Sequence, residues 1–109
     1  MMRIDAVVGL FPDLEVVELR YWIEQRWVQP EPIEGETWIF QAVDLARVHL
    51  IYDLRRELDT PEETVSLVLS LLDQVYDLRR TVNTMKQAVK AQPPDVQVAI
   101  LEAFKSASL

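Results

Sequence analysis

The sequence predicts a mainly α-helical chain: a helix-turn-helix carrying a small two-stranded wing, then one long, coiled-coil-like helix and a short C-terminal helix. Three observations carry this expectation. Between Leu19 and Phe40, an amphipathic helical pattern stops at Trp27-Val28, a turn rich in Pro and Glu follows, and a short apolar run, Trp38-Ile39-Phe40, comes after it. Pro30 and Pro32 each forbid helix and push the residue before them towards extended backbone, so the helix has to end there. Further on, apolar residues alternate three and four apart from Val68 to Val89, which is the spacing of a heptad seam.

Taken in order, residues 3–10 read as a first short helix with Ile4, Val7 and Val8 inward. Pro12 ends it, and Asp13 is the candidate N-cap of a second helix. That helix places Val16, Val17, Leu19, Ile23 and Trp27 inward and Glu15, Glu18, Glu24 and Arg26 outward, with Tyr21 and Trp22 on its flank and Trp22 exposed. Val28 and the Trp38 to Phe40 run are expected to pair as the hairpin, around a loop holding Gly35. Residues 41–58 form the next helix, with Leu45, Val48, Ile51 and Leu58 as its stripe, widened by Tyr52 and Leu54. Arg47, Asp53, Arg55, Arg56 and Glu57 face solvent.

Thr60, Pro61 and Glu63 make the sharpest boundary in the chain: a cap, a proline at the first helical position, and the acid that closes a capping box. The chain accordingly divides into a winged unit over 1–60, a long heptad helix over 61–92 and a C-terminal amphipathic helix over 93–109. In the long helix Val68, Val75, Val82 and Val89 hold one seam position and Leu71, Leu78 and Met85 the other. A helix with such a seam needs a partner, so this segment is expected to form a homodimer. Pro93-Pro94 stops the helix, and Val96, Ala99, Ile100, Ala103 and Phe104 line the apolar side of the last one.

Charge narrows the function classes. Residues 1–60 hold twelve acids against six arginines, a net of −6, and the remainder is nearly balanced at −1. A duplex binder needs cations to displace counterions from phosphates, and an acidic winged unit repels that ligand. The lack of cysteine excludes disulfides and thiolate metal sites and fits a reducing compartment. No apolar run has membrane length and no leader signature is present, so a cytoplasmic protein is expected.

Catalytic constellations are missing. His49 is the single histidine, the two glycines, Gly9 and Gly35, build no phosphate cradle, and no Ser or Thr has a histidine near it in sequence. His49 with Asp53 offers two ligands, too few for a metal. Neither an enzyme nor a cofactor is expected. Arg79-Arg80, Lys86 and Lys90, interleaved with Asp73 and Asp77, read as a coiled-coil flank. The three tryptophans read as closure of a small core rather than a platform for bases.

Leu19-Arg20-Tyr21-Trp22, the turn Trp27-Val28-x-Pro30 and the wing end Trp38-Ile39-Phe40 resemble the winged-helix unit of the MerR family, across about residues 3–90. That family carries basic and small polar residues at the start of the second helix and an arginine in the wing. Here Glu15, Glu18, Glu34 and Glu36 stand instead, which undermines base readout and phosphate clamping alike. Glu36-Thr37-Trp38-Ile39-Phe40, Leu54-Arg55-Arg56-Glu57-Leu58 and the segment VSLVLSLLD over 65–73 are more similar to the chaperone modulator CbpM family, a MerR-like group.

This resemblance implies a protein that binds the J-domain of a DnaJ-like, CbpA-type co-chaperone and inhibits it by occluding the basic surface shown to its heat-shock chaperone partner. An acidic competitor suits such a surface. The residues expected to meet the partner, chosen for charge and exposure, are Glu31, Glu34, Glu36, Asp44, Asp53 and Glu57, with Trp22 as apolar anchor. The alternative is a divergent MerR-type DNA-binding transcriptional regulator, and a third reading is a plain coiled-coil assembly factor. Nucleic acid and membrane are not expected as ligands.

Overall fold

The computed structural model describes residues 1–107. Its elements are β1 (Met2–Arg3), α1 (Ile4–Val8), α2 (Val16–Glu24), β2 (Glu31–Ile33), β3 (Thr37–Phe40), α3 (Ala42–Arg56), α4 (Glu62–Lys90) and α5 (Pro94–Ala107). The mainly helical chain with a small sheet, a long helix and a short C-terminal helix is the expected class. Two compact units are distinguished, Met1–Leu69 and a second that begins at Ser70.

The first unit closes on one apolar cluster. Ile4 and Val7 of α1, Leu14, Leu19 and Trp22 of the α2 region, Trp27 and Val28, Phe40 of β3, Val48 and Ile51 of α3, and Val65 and Leu69 of α4 are all buried. Spacing explains most of this set: Val48 and Ile51 are three apart on α3, and Val65 and Leu69 four apart on α4, so each pair lies on one helix face. The last pair matters because it comes after the Pro61 boundary. The first two turns of α4 complete the core of the winged unit.

The sheet has three antiparallel strands in the order β1-β3-β2 rather than the expected two. Met2 lies opposite Phe40 and Arg3 opposite Ile39, so the chain start adds an edge strand. The outer wing strand is Glu31–Ile33, not Val28, with Pro32 opposite Trp38. Because β2 is an edge strand, it tolerates a residue with no N–H to donate. Val28 is instead fully buried. Gly35, with φ of 81°, and Glu36, with φ of 57°, carry the tight reversal between the strands.

Several boundaries differ from the sequence reading. α2 stops at Glu24, three residues before Trp27, because Arg26 takes the left-handed conformation with φ of 62°. The Trp27 amide donates to the Trp22 carbonyl and the Arg26 amide to that of Ile23, each at 3.0 Å. Those paired bonds form a Schellman stop, usually signalled by glycine, and an arginine there hides it. Asp13 is not the N-cap of α2. It too has positive φ, 64°, and Glu15 occupies the cap position with no side-chain bond to the helix.

Turning α2 to its true phase exposes Val17 and buries Trp22, which is 2% exposed, so Trp22 is a core residue and not a surface anchor. α3 ends at Arg56, leaving Leu58 exposed beyond it. Arg47 does not face solvent freely: its Nε donates to the Trp27 carbonyl. α4 begins at Glu62, one residue after the expected start, with the Pro61 carbonyl accepting from the Val65 amide.

In the second unit, α4 continues to Lys90 and α5 follows after a short turn. The Gln97 side chain donates to the carbonyls of Gln92, at 2.7 Å, and Lys90, at 3.4 Å, satisfying acceptors left open at the end of α4. Leu71, Val75, Leu78, Val82 and Met85 are exposed, and no residue of α5 is buried. Among the described residues, no helix is long and apolar enough to cross a membrane.

Replacing Arg26 by glycine relieves the left-handed penalty without touching the core and is expected to raise stability by about 0.5–1 kcal/mol. The readout is the urea unfolding midpoint at unchanged slope. A lower midpoint would show that the arginine side chain contributes more than its backbone costs.

Candidate functional site: the acidic surface of the winged unit

The acids chosen from sequence fall into three places. Glu31 lies on β2, and Glu34 and Glu36 flank Gly35 at the wing tip, all exposed. Asp53 and Glu57 are one turn apart towards the end of α3. Asp53 is partly covered and Glu57 exposed, and Asp53 stands 3.7 Å from His49. Asp44 has a structural duty instead: its carboxylate accepts the Gln41 amide at 2.8 Å and closes a capping box at the start of α3. It is therefore committed within the fold, and Trp22 is buried beneath it all. Glu31, Glu34, Glu36, Asp53 and Glu57 remain as surface charge.

The arginines of the same unit are mostly engaged in contacts within it. Arg56 grips Glu18 with both terminal nitrogens, at 2.8 and 2.6 Å, and also donates to the Asp13 carbonyl at 3.2 Å. The Glu18 hydrogen bonds hold its guanidinium pKa above the ordinary arginine value. Arg47 donates to the Trp27 carbonyl and Arg55 to the Thr60 carbonyl, the latter at 2.7 Å. Arg20 lies over the Trp38 ring, 5.5 Å from its centre. Four of six cations thus brace loops, helix ends or an aromatic ring, while most acids point to water.

Tyr21 and Glu62 link α2 to the start of α4: the phenol donates to the carboxylate at 3.0 Å. Beside them the Trp27 indole donates to the Ser66 hydroxyl at 2.9 Å. Sequence reasoning passed over both pairs because their members are about forty residues apart and neither carries a motif. Phe11 contacts the rings of His49 and Tyr52, and the Tyr52 hydroxyl donates to the Pro12 carbonyl at 2.7 Å. His49 thus lies against the Phe11 ring and 3.7 Å from Asp53. Among the described residues, no group of three or more histidines or acids is placed to hold a metal ion.

In the second unit Val75, Leu78 and Val82 line an open groove of about 400 Å³ with Arg79 and Lys86 along one flank. Val68 and Val89, at the two ends of the seam, are partly covered. Arg80 pairs with Asp77 at 3.2 Å on a fully hydrated surface, an arrangement worth little to stability.

The Glu62 contact raises the Tyr21 pKa above the ordinary phenol value of 10.0, the hydrogen bond being the first cause and burial the second. The stabilisation is present while Tyr21 is protonated and is lost as pH rises through the elevated value. Titration of Tyr21 by ring-carbon NMR should place its midpoint above 10.0, and Glu62→Gln should bring it down. An unchanged midpoint would show that the bond does not persist in solution.

No curated protein and no solved structure is significantly similar to the chain. Residues 12–87 match a family described as MerR HTH family regulatory protein, a span running from the turn before α2 well into the seam of α4. The match covers α2, the wing strands β2 and β3, α3 and most of α4, in the order built above, and the chain belongs to the MerR HTH regulatory protein family.

Proposed function

We propose that the chain is a modulator of the CbpM kind, which binds the J-domain of a DnaJ-like co-chaperone and blocks the basic surface that the J-domain offers its chaperone partner. The carrying observation is the disposition of charge. Twelve acids face six arginines in residues 1–60, and four of those arginines are spent on contacts within the unit. A protein reading phosphates keeps its guanidinium groups free for them. One whose ligand is cationic has no such need, and its carboxylates steer the encounter. A surface of this kind acts by covering its partner and requires no catalytic group.

A second reading draws on the family match itself: a helix-turn-helix regulator that binds duplex DNA. Only Arg3 and Arg26 of the winged unit make no contact of the kind described above, which is thin provision for a duplex.

The titration that separates the two uses the full chain, by calorimetry, against a purified J-domain and against duplex DNA at two salt concentrations. J-domain binding at about micromolar Kd that weakens with added salt, with no duplex binding, is the expected result. Duplex binding with a steep salt dependence, and silence towards the J-domain, would establish the regulator instead.

The exposed seam of the second unit is proposed to pair with the same seam of a second copy of the chain. Val75→Asp with Val82→Asp puts two carboxylates into that seam and should halve the mass measured by light scattering. A mass unaltered by both substitutions would remove the seam from the assembly.

A further inference from the structure

An open groove of about 420 Å³ runs along the first turns of α2, entirely within the first unit. Its apolar part is Val17 and Tyr21, one turn apart on the helix, with the nearly buried Trp22 also in its lining. Val17 is 77% exposed. Its polar rim carries four carboxylates, Asp13, Glu15, Glu18 and Glu62, against one cation, Arg55. That cation already donates to the Thr60 carbonyl. Glu18 is held by Arg56 and Glu62 by Tyr21, whereas the carboxylates of Asp13 and Glu15 make no hydrogen bond or ion pair among the described residues.

An apolar strip bordered by unspent carboxylates has a definite complement. A phosphate backbone meets four carboxylates there against one guanidinium. A cationic amphipathic helix lays its apolar residues on Val17 and Tyr21 and its lysines or arginines against Asp13 and Glu15. We propose that this groove on α2, and not the wing tip, is the docking surface for a basic amphipathic helix of the partner. Resting on the function proposed above, the inference assigns the J-domain's basic helix to the exposed face of α2. The wing acids then contribute to long-range steering, while Val17, Tyr21 and the two free carboxylates set the lifetime of the complex.

The test compares two charge-altered variants of the full chain by calorimetry against the same J-domain, each checked for helical content by circular dichroism. One is Val17→Asp with Glu15→Lys, in the groove. The other is Glu34→Lys with Glu36→Lys, at the wing tip. The groove variant should weaken binding about a hundredfold, and the wing variant no more than about threefold. If the groove variant loses helix, Asp13→Asn with Glu15→Gln, which leaves the core untouched, should still flatten the salt dependence.

Loss of binding in the wing variant with wild-type binding in the groove variant would overturn the groove while leaving the function standing. A chain that ignores the J-domain but binds a synthetic lysine- and leucine-based amphipathic helix, through the groove residues alone, would support the groove and sink the J-domain reading. Failure to bind either probe, or binding of duplex DNA only, would overturn both.

Discussion

Trp27 is the residue on which the winged unit turns. The left-handed step at Arg26 ends α2 and swings the indole inward, where its amide returns to Trp22 of α2. The indole N–H reaches Ser66 of α4, and the carbonyl accepts from Arg47 of α3. One residue thereby ties three helices, with every polar group on it occupied inside a nearly dry core. Removing the ring would cost cavity energy and the indole hydrogen bond to Ser66 together, while the two backbone bonds would remain.

How far the fold could be read from the chain depended on whether its signal was local. Helical periodicity in α3 and α4, the proline-rich turn and the aromatic wing strand all lie within a few residues of their cause, and they were legible. The errors share another origin. α2 carries Val16 beside Val17 and Tyr21 beside Trp22, so a rotation of one residue changes which member faces inward. Only the Arg26 stop and the packing of Trp27 decide it. The third strand was invisible because Met2 and Arg3 are defined by pairing with Phe40 and Ile39, far along the chain. Of the candidate site, the sign of the charge was legible, but the capping role of Asp44 and the burial of Trp22 required coordinates.

The charge pattern has a structural logic independent of any partner. Arginine is suited to bracing loop carbonyls, because its planar head satisfies an acceptor while its stem covers apolar surface. In the first unit Arg47, Arg55 and Arg56 are used this way, at the Trp27, Thr60 and Asp13 carbonyls. The outcome is that Arg47 and Arg55 are partly covered and Arg56 is tied to Glu18, while most carboxylates of the unit are exposed without such a tie. Within the second unit the balance differs: the flank of the seam is basic at Arg79 and Lys86, and its apolar residues are open to water.

The reliance of the first unit on Val65, Leu69 and Ser66 bears on how the chain is made. During synthesis Met2 has no strand to join until Phe40 has emerged, and the Trp27 indole has no acceptor until Ser66 has. The unit therefore closes late, when residue 69 leaves the ribosome, and only afterwards do Leu71 and the seam residues beyond it become available. A nascent chain halted before residue 65 would leave the floor of its core, Trp22 and Trp27 included, unsealed and open to the chaperones that survey new proteins.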